Sequence, residues 1–137
     1  MNDFDIEKID AEFENLIKNC DELSTKMLNE KRKVEYIALR TMYTRMSEIR
    51  YKIYLAKGFL NIWSRVENTD HESDFKRLAN YCFNDLLVNL NLDIIYAETH
   101  SGDILHFLDL FSCWRKLCRL YQSYYALKFD YARNNEI

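Results

Sequence analysis

The feature that most constrains the fold of this chain is its near lack of proline and glycine. None of its 137 residues is proline and only two are glycine, whereas average usage would give about seven prolines and about ten glycines. Hairpins and sheet connections depend on such residues, so we expect an all-α protein with few, short connections. An apolar share of 48% and an aromatic share of 15% are typical of a folded domain rather than a disordered chain.

Apolar residues recur at alternating spacings of three and four along most of the chain, which is the pattern of amphipathic helices. The pattern predicts helices at 6–28, 33–67, 70–90 or longer, and 103–132, all within one domain, 1–137. We expect an elongated four-helix bundle, because the second helix alone would extend roughly 50 Å. Between 28 and 33 two alternatives stay open: a helical hairpin that turns near Asn29, which we favour, or one very long helix with a stutter.

The beginning of the third helix carries the pattern T-x-x-E from Thr69 to Glu72, which is typical of a capping box. A second turn is expected at 100–103, around Gly102. The core side chains predicted for the third helix are Phe75, Leu78, Ala79, Cys82, Leu86 and Leu90.

The last helix carries more apolar surface than one buried stripe requires. Its main seam is Ile104, Phe107, Phe111, Trp114, Cys118, Tyr121 and Tyr125, and a second seam is Leu110, Leu117, Tyr124 and Tyr131. This helix is therefore either the central helix of the bundle or a helix with one side given to a partner, and both alternatives stay open. Its C-terminal half is rich in tyrosine, which is enriched at interface hot spots. The predicted partner-binding residues are Tyr121, Tyr124, Tyr125, Phe129 and Tyr131.

The net charge of −3 hides a pattern of acidic and basic blocks. Residues 1–30 carry nine acids and three bases, 31–66 nine bases and two acids, and 67–102 seven acids and two bases. One interpretation is that neighbouring antiparallel helices have complementary faces. The other is a basic strip for an acidic partner, which predicts a second contact surface at Arg40, Arg45 and Arg50. Tyrosines interleave with these arginines, so nucleic acid is an alternative ligand, although an acidic chain lacks the usual basic footprint.

Apart from the Arg65–His71 spacing described below, no motif in the sequence predicts catalysis, a metal site or a cofactor. There is no glycine-rich phosphate loop, serine elbow or paired acid–base motif, and His100, Asp103 and His106 do not align on one helical face. The four cysteines form no C-x-x-C pair, and we find neither a signal peptide nor an apolar run of membrane-spanning length. We therefore expect no membrane contact and a reducing, cytoplasmic or nuclear location. Richness in Asn, Ile, Lys and Tyr is typical of AT-rich genomes, among them viral ones.

The spacing of Arg65 and His71 resembles the R-x(4–6)-H motif of HEPN-domain proteins. Those proteins are all-α, often dimeric and in many cases metal-independent ribonucleases. The resemblance implies an RNA-cleaving site at these two residues.

A second resemblance covers the second helix and the start of the third. The pattern Tyr43-x-Arg45-Met46-x-x-Ile49-Arg50-x-x-x-Tyr54, followed by Glu72-Ser73-Asp74-Phe75, is similar to the helical A domain of some GINS replication-complex subunits. The β-rich second domain of that family has no counterpart here. This resemblance implies a non-catalytic subunit of a multiprotein assembly.

Taken together, these patterns predict a non-catalytic helical interaction protein, either an adaptor or a subunit of a larger assembly. Its partner would be another protein or a second copy of itself, bound through the aromatic face of the last helix. A HEPN-like ribonuclease and a nucleic-acid-binding subunit are the alternatives.

Overall fold

The computed structural model describes residues 5–134, apart from the side chains of Asp103 and Leu105. These residues form four α-helices, α1 (Ile6–Asn29), α2 (Lys33–Ile62), α3 (Glu72–His100) and α4 (Leu108–Asn134). Two 3-10 segments, Trp63–Arg65 and Ser101–Phe107, lie after α2 and before α4. The described part of the chain contains no strand, and the all-α prediction is confirmed.

The four helices form a ring in which each packs against two others. Both α1 and α3 pack against α2 and α4. Short connections between successive helices make them run in alternate directions, as in an up-down-up-down bundle. With 30 residues, α2 extends about 45 Å, which gives the bundle its elongated form.

A tight turn joins α1 to α2, so the hairpin alternative is correct. The N–H of Arg32 donates to the Met27 carbonyl (2.9 Å), and the N–H of Lys31 donates to the Leu28 carbonyl (3.1 Å). This is the Schellman pattern that closes many helices. Lys31 has the left-handed φ of 59° that the pattern requires, and the helix ends just before it, at Asn29.

The predicted capping residues before α3 are used, but for the loop rather than for the first helical turn. The Oγ1 atom of Thr69 accepts from the N–H of His71 (3.3 Å), and the Glu72 carboxylate accepts from the N–H of Asn68 (3.2 Å). The helix α3 begins at Glu72 instead of 70, and α2 ends at Ile62 instead of 67, where the 3-10 segment Trp63–Arg65 follows it.

The last connection differs most from the expectation. The 3-10 segment Ser101–Phe107 has a non-helical backbone at Ile104, with φ −136° and ψ 79°, and the Ile104 side chain is buried against the bundle. Regular α-helix therefore begins at Leu108 instead of 103, and it ends at Asn134 instead of 132. Gly102 does not have a positive φ, so this turn does not depend on the conformational freedom of glycine.

The predicted core of α3 is wrong at two positions. Leu78 is exposed and Cys82 is only half-buried, whereas Phe83 is fully buried. The helix is oriented so that the Phe83 ring stacks on Phe129 of α4, with ring centroids 4.5 Å apart. The buried apolar line of α3 is Ala79, Phe83, Leu86, Leu90, Ile94 and Ala97.

Candidate interaction surface

Three of the five aromatic residues predicted to contact a partner are core residues. Tyr121, Tyr125 and Phe129 are at most 2% exposed. The ring of Phe13 on α1 meets Tyr121 edge-on at 5.3 Å between centroids, while Phe83 on α3 stacks on Phe129. Because α4 packs against both α1 and α3, its two apolar sides are covered within one chain. This corrects the expectation that these three side chains form an exposed surface.

Tyr124 and Tyr131 are the two members of the predicted set that keep an accessible surface. Tyr124 is half-buried and Tyr131 is 71% exposed. They border a groove of about 540 Å³ between the ends of α2 and α4, where the Lys128 ammonium lies 5.4 Å from the centroid of the Tyr124 ring. The part of the predicted aromatic face that stays accessible to solvent lies at this groove.

The hydroxyl of Tyr121 has a structural role. It donates to Asp10 on α1 (2.6 Å), and Asp10 also accepts from Lys57 on α2. Burial and the hydrogen bond to Asp10 raise the pKa of Tyr121, so the hydroxyl stays protonated at neutral pH. This network links three helices through one carboxylate.

The three arginines of the predicted basic strip each pair with an acid on a neighbouring helix. The pairs are Arg40–Asp21 (2.6 Å), Arg50–Glu14 (3.0 Å) and Arg45–Asp93 (3.1 Å). Two of the acids lie on α1 and the third lies on α3. The charge blocks of the sequence therefore complement one another between adjacent helices, which is the first of the two interpretations.

An exposed line of mostly apolar residues is found on α3. We call it the α3 seam, and it consists of Leu78, Tyr81, Asp85, Val88, Leu92 and Ile95. Its members follow one another at spacings of three, four, three, four and three, on the side of the helix away from the buried line. The five apolar members are between 50% and 69% exposed. Single exposed apolar residues are ordinary, but a continuous line with this spacing is typical of the contact between two packed helices.

Asp85 is the one charged member of the α3 seam, and both of its carboxylate oxygens are occupied. Oδ2 accepts from Lys52 Nζ on α2. Oδ1 accepts from the Asn89 side chain (3.0 Å). The charge is thus neutralised within the chain, which lowers the cost of covering it with apolar material.

A groove of about 700 Å³ lies beside the seam, between α2 and α3, and Leu92 forms part of its border. Asp93 at this groove is 4% exposed. Its Oδ1 accepts from Arg45 (3.1 Å), whereas its buried Oδ2 has no hydrogen-bond partner among the described residues. Burial raises the pKa of Asp93 to about 6, although Arg45 acts to lower it. The groove therefore contains a carboxyl group that titrates close to neutral pH.

The described side chains show no arrangement suited to catalysis by a thiol or a bound metal. Burial raises the pKa of all four cysteine thiols, that of Cys20 to about 12, so they are poor nucleophiles at neutral pH. No group of three or more described His, Cys, Asp or Glu residues is placed to hold a metal ion. Arg65 ends a 3-10 turn and His71 precedes α3, so this pair spans a loop instead of lying on one helix.

The three–four periodicity of the sequence contains the α3 seam, yet it predicts Leu78 as a core residue and does not separate the other members as an exposed line. The line that begins at Ala79 has nearly the same spacing, and Asp85 interrupts the exposed line. Asp93 likewise interrupts the buried side, so a charged residue alone does not tell the outer line from the inner one.

None of the described helices is both long enough and apolar enough to cross a membrane. Comparisons with protein-family models, with curated proteins and with solved structures find no match for this chain.

Proposed function

We propose that this protein is a non-catalytic helical interaction protein that binds its partner through the α3 seam. One observation carries the proposal: five apolar side chains stand at least half exposed on one line, at the spacing with which helices pack together. Water contact with such a line is unfavourable by about 25 cal/mol per Å² of apolar surface. A partner helix laid along it would remove that cost.

The paired arginines support protein contact over nucleic-acid binding. Arg40, Arg45 and Arg50 each have an acidic partner on a neighbouring helix. Phosphate binding would have to compete with these pairs, whereas contact through α3 leaves them intact. Membership of a multiprotein assembly, which the GINS-like pattern implies, agrees with this mode of action.

A pair of matched leucines tests the proposal. Leu92 on the α3 seam and Leu127 on α4 are 50% and 51% exposed, so a change to glutamate should perturb the folded chain to the same small extent. The host cells are ones that produce the protein naturally, and they also express a second copy of it with a different tag. From these cells we purify, each by its own tag, wild-type protein, Leu92→Glu and Leu127→Glu. Co-purifying proteins are quantified by mass spectrometry.

We expect Leu92→Glu to lose its specific partners and Leu127→Glu to retain them. If the second copy of the chain is a partner, it should be lost in the same way. Equal recovery of every partner with both variants would refute an interaction function for the α3 seam. Circular dichroism melting of the two variants establishes that each is folded.

A further inference from the structure

We infer that the α3 seam binds a second copy of the same chain, with the two α3 helices antiparallel. This inference rests on the proposed function and names its partner. It follows from the order of residues along the seam, from the ion pair and hydrogen bond that Asp85 makes, and from the charged residues beside the seam.

The order of residues along the seam is self-complementary in the antiparallel direction. The two-fold axis crosses the contact at the level of the helix midway between positions 86 and 87. It brings the six members of the seam into contact with the six members of the second copy. The contact layers pair Leu78 with Ile95, Tyr81 with Leu92, and Asp85 with Val88, each occurring twice. Four of the six layers then join two apolar side chains, as knobs-into-holes packing favours. The two central layers each place Val88 against Asp85.

Asp85 decides between the antiparallel and parallel arrangements. In a parallel pair it would lie directly opposite Asp85 of the second copy, so two carboxylates with their own partners would have to share one layer of the apolar contact. In the antiparallel pair it lies beside Val88 of the second copy instead. Lys52 and Asn89 already occupy its two oxygens, so it enters the contact without an unpaired charge. A polar residue at one position of an apolar seam also fixes the register.

The residues that flank the seam on the α4 side agree with the same register. In an antiparallel helix pair, Arg77 lies opposite Glu98 of the second copy, and Asn84 lies opposite Asn91. Arg77 now pairs with Asp74 at 2.8 Å, in a contact whose side chains are 81% and 76% exposed. A pair so exposed is worth little, so Arg77 can exchange it for the carboxylate of the second copy. Glu98 already pairs with Arg119 of its own chain (2.8 Å), so Arg77 would join an existing ion pair.

The size of the contact sets its expected strength. From Leu78 to Ile95 the seam is roughly 26 Å long, and a helix is about 10 Å wide. Such a strip is smaller than the area of about 800 Å² per partner that is typical of stable complexes. We therefore expect a reversible dimer with a dissociation constant in the micromolar range, and not a permanent one.

Sedimentation equilibrium of the purified full chain, from low micromolar to near-millimolar concentration, tests the dimer. Wild-type protein and Leu127→Glu should show the same monomer–dimer equilibrium. Leu92→Glu should weaken it about tenfold or more, because the glutamate would be buried twice per dimer. A monomer at every concentration, or equal association of both variants, would overturn the inference.

Disulfide trapping tests the direction. Asn84→Cys and Asn91→Cys are made separately in a Cys82→Ser background, mixed and oxidised gently. The antiparallel register predicts a cross-linked species that contains one copy of each variant, and little product from either variant alone. Products from each variant alone in equal yield would overturn it.

The two proposals fail separately. If the chain is monomeric but Leu92→Glu still loses partners in cells, the second copy is rejected and the interaction function stands. If Leu92→Glu loses neither partners nor self-association, both are rejected.

Discussion

Asp93 provides a quantitative test of how α2 and α3 pack. Its pKa is raised from 3.8 to about 6, chiefly by burial and also by the nearby Glu48, while Arg45 acts in the opposite direction. Two pKa units correspond to about 3 kcal/mol. Because the side chain is almost fully buried, little of this is lost to solvent screening. The ionised carboxylate should therefore lower the free energy of unfolding at neutral pH by about 3 kcal/mol relative to an unperturbed aspartate.

The sign follows from proton binding. Between pH 3.8 and about 6 the folded chain holds a proton on Asp93 that the unfolded chain releases, so this residue makes stability fall as pH rises through that interval. Below the interval both states are protonated, and above it the penalty is constant. Asn in place of Asp93 cannot ionise, and its amide oxygen can still accept from Arg45.

Urea unfolding of wild-type protein and Asp93→Asn, at pH values from below 4 to above 7, measures this effect. We expect the variant to be more stable by about 1–3 kcal/mol at neutral pH, and the gap should close towards the acidic end. Asp21→Asn, which alters an exposed pair with Arg40, serves as control and should change stability by less than about 1 kcal/mol. A gap that does not depend on pH, or one that grows as pH falls, would refute the burial assigned to Asp93.

Three further predictions concern the turn, the Tyr121 network and catalysis. Lys31→Gly should raise the free energy of unfolding by about 1 kcal/mol in urea denaturation, because Lys31 holds a left-handed φ that glycine adopts without strain; no gain would contradict that geometry. Tyr121→Phe should lower the free energy of unfolding by about 1 kcal/mol, because Asp10 keeps its bond from Lys57 but loses the one from the hydroxyl. An unchanged free energy of unfolding would show that this hydrogen bond contributes nothing. The purified protein should not cleave RNA in a fluorescent substrate assay; cleavage that disappears in His71→Ala would favour the HEPN-like alternative instead.

The fold class and the helices could be predicted because they depend on local properties of the sequence. The absence of proline and the scarcity of glycine disfavour most sheet topologies. Apolar residues that recur at spacings of three and four identify the helices. Ile104 shows the limit of this reasoning, since its neighbours read as helix while its backbone departs from helical geometry. Burial of that side chain against the bundle is a tertiary effect that periodicity does not contain.

The location of the exposed surface could not be predicted in the same way, because it depends on which helices become neighbours. Both α3 and α4 carry more apolar residues than one stripe needs. Two neighbours, α1 and α3, cover both sides of α4 and bury Tyr121 and Phe129. The second line of α3 lies on the outside of the ring, where Leu92 stays half exposed.

The contacts of α3 with its two neighbours explain why its second apolar line is uncovered. The base-rich α2 pairs with acids on both of its neighbours, through Arg50 and Glu14 towards α1 and through Arg45 and Asp93 towards α3. The buried line from Ala79 to Ala97 packs into the bundle, and Phe83 stacks on Phe129 of α4. Because this packing fixes the rotation of α3 about its axis, the line that contains Leu92 faces outwards. Burial of one apolar line of α3 thus leaves the other as the surface on which we base the proposed interaction.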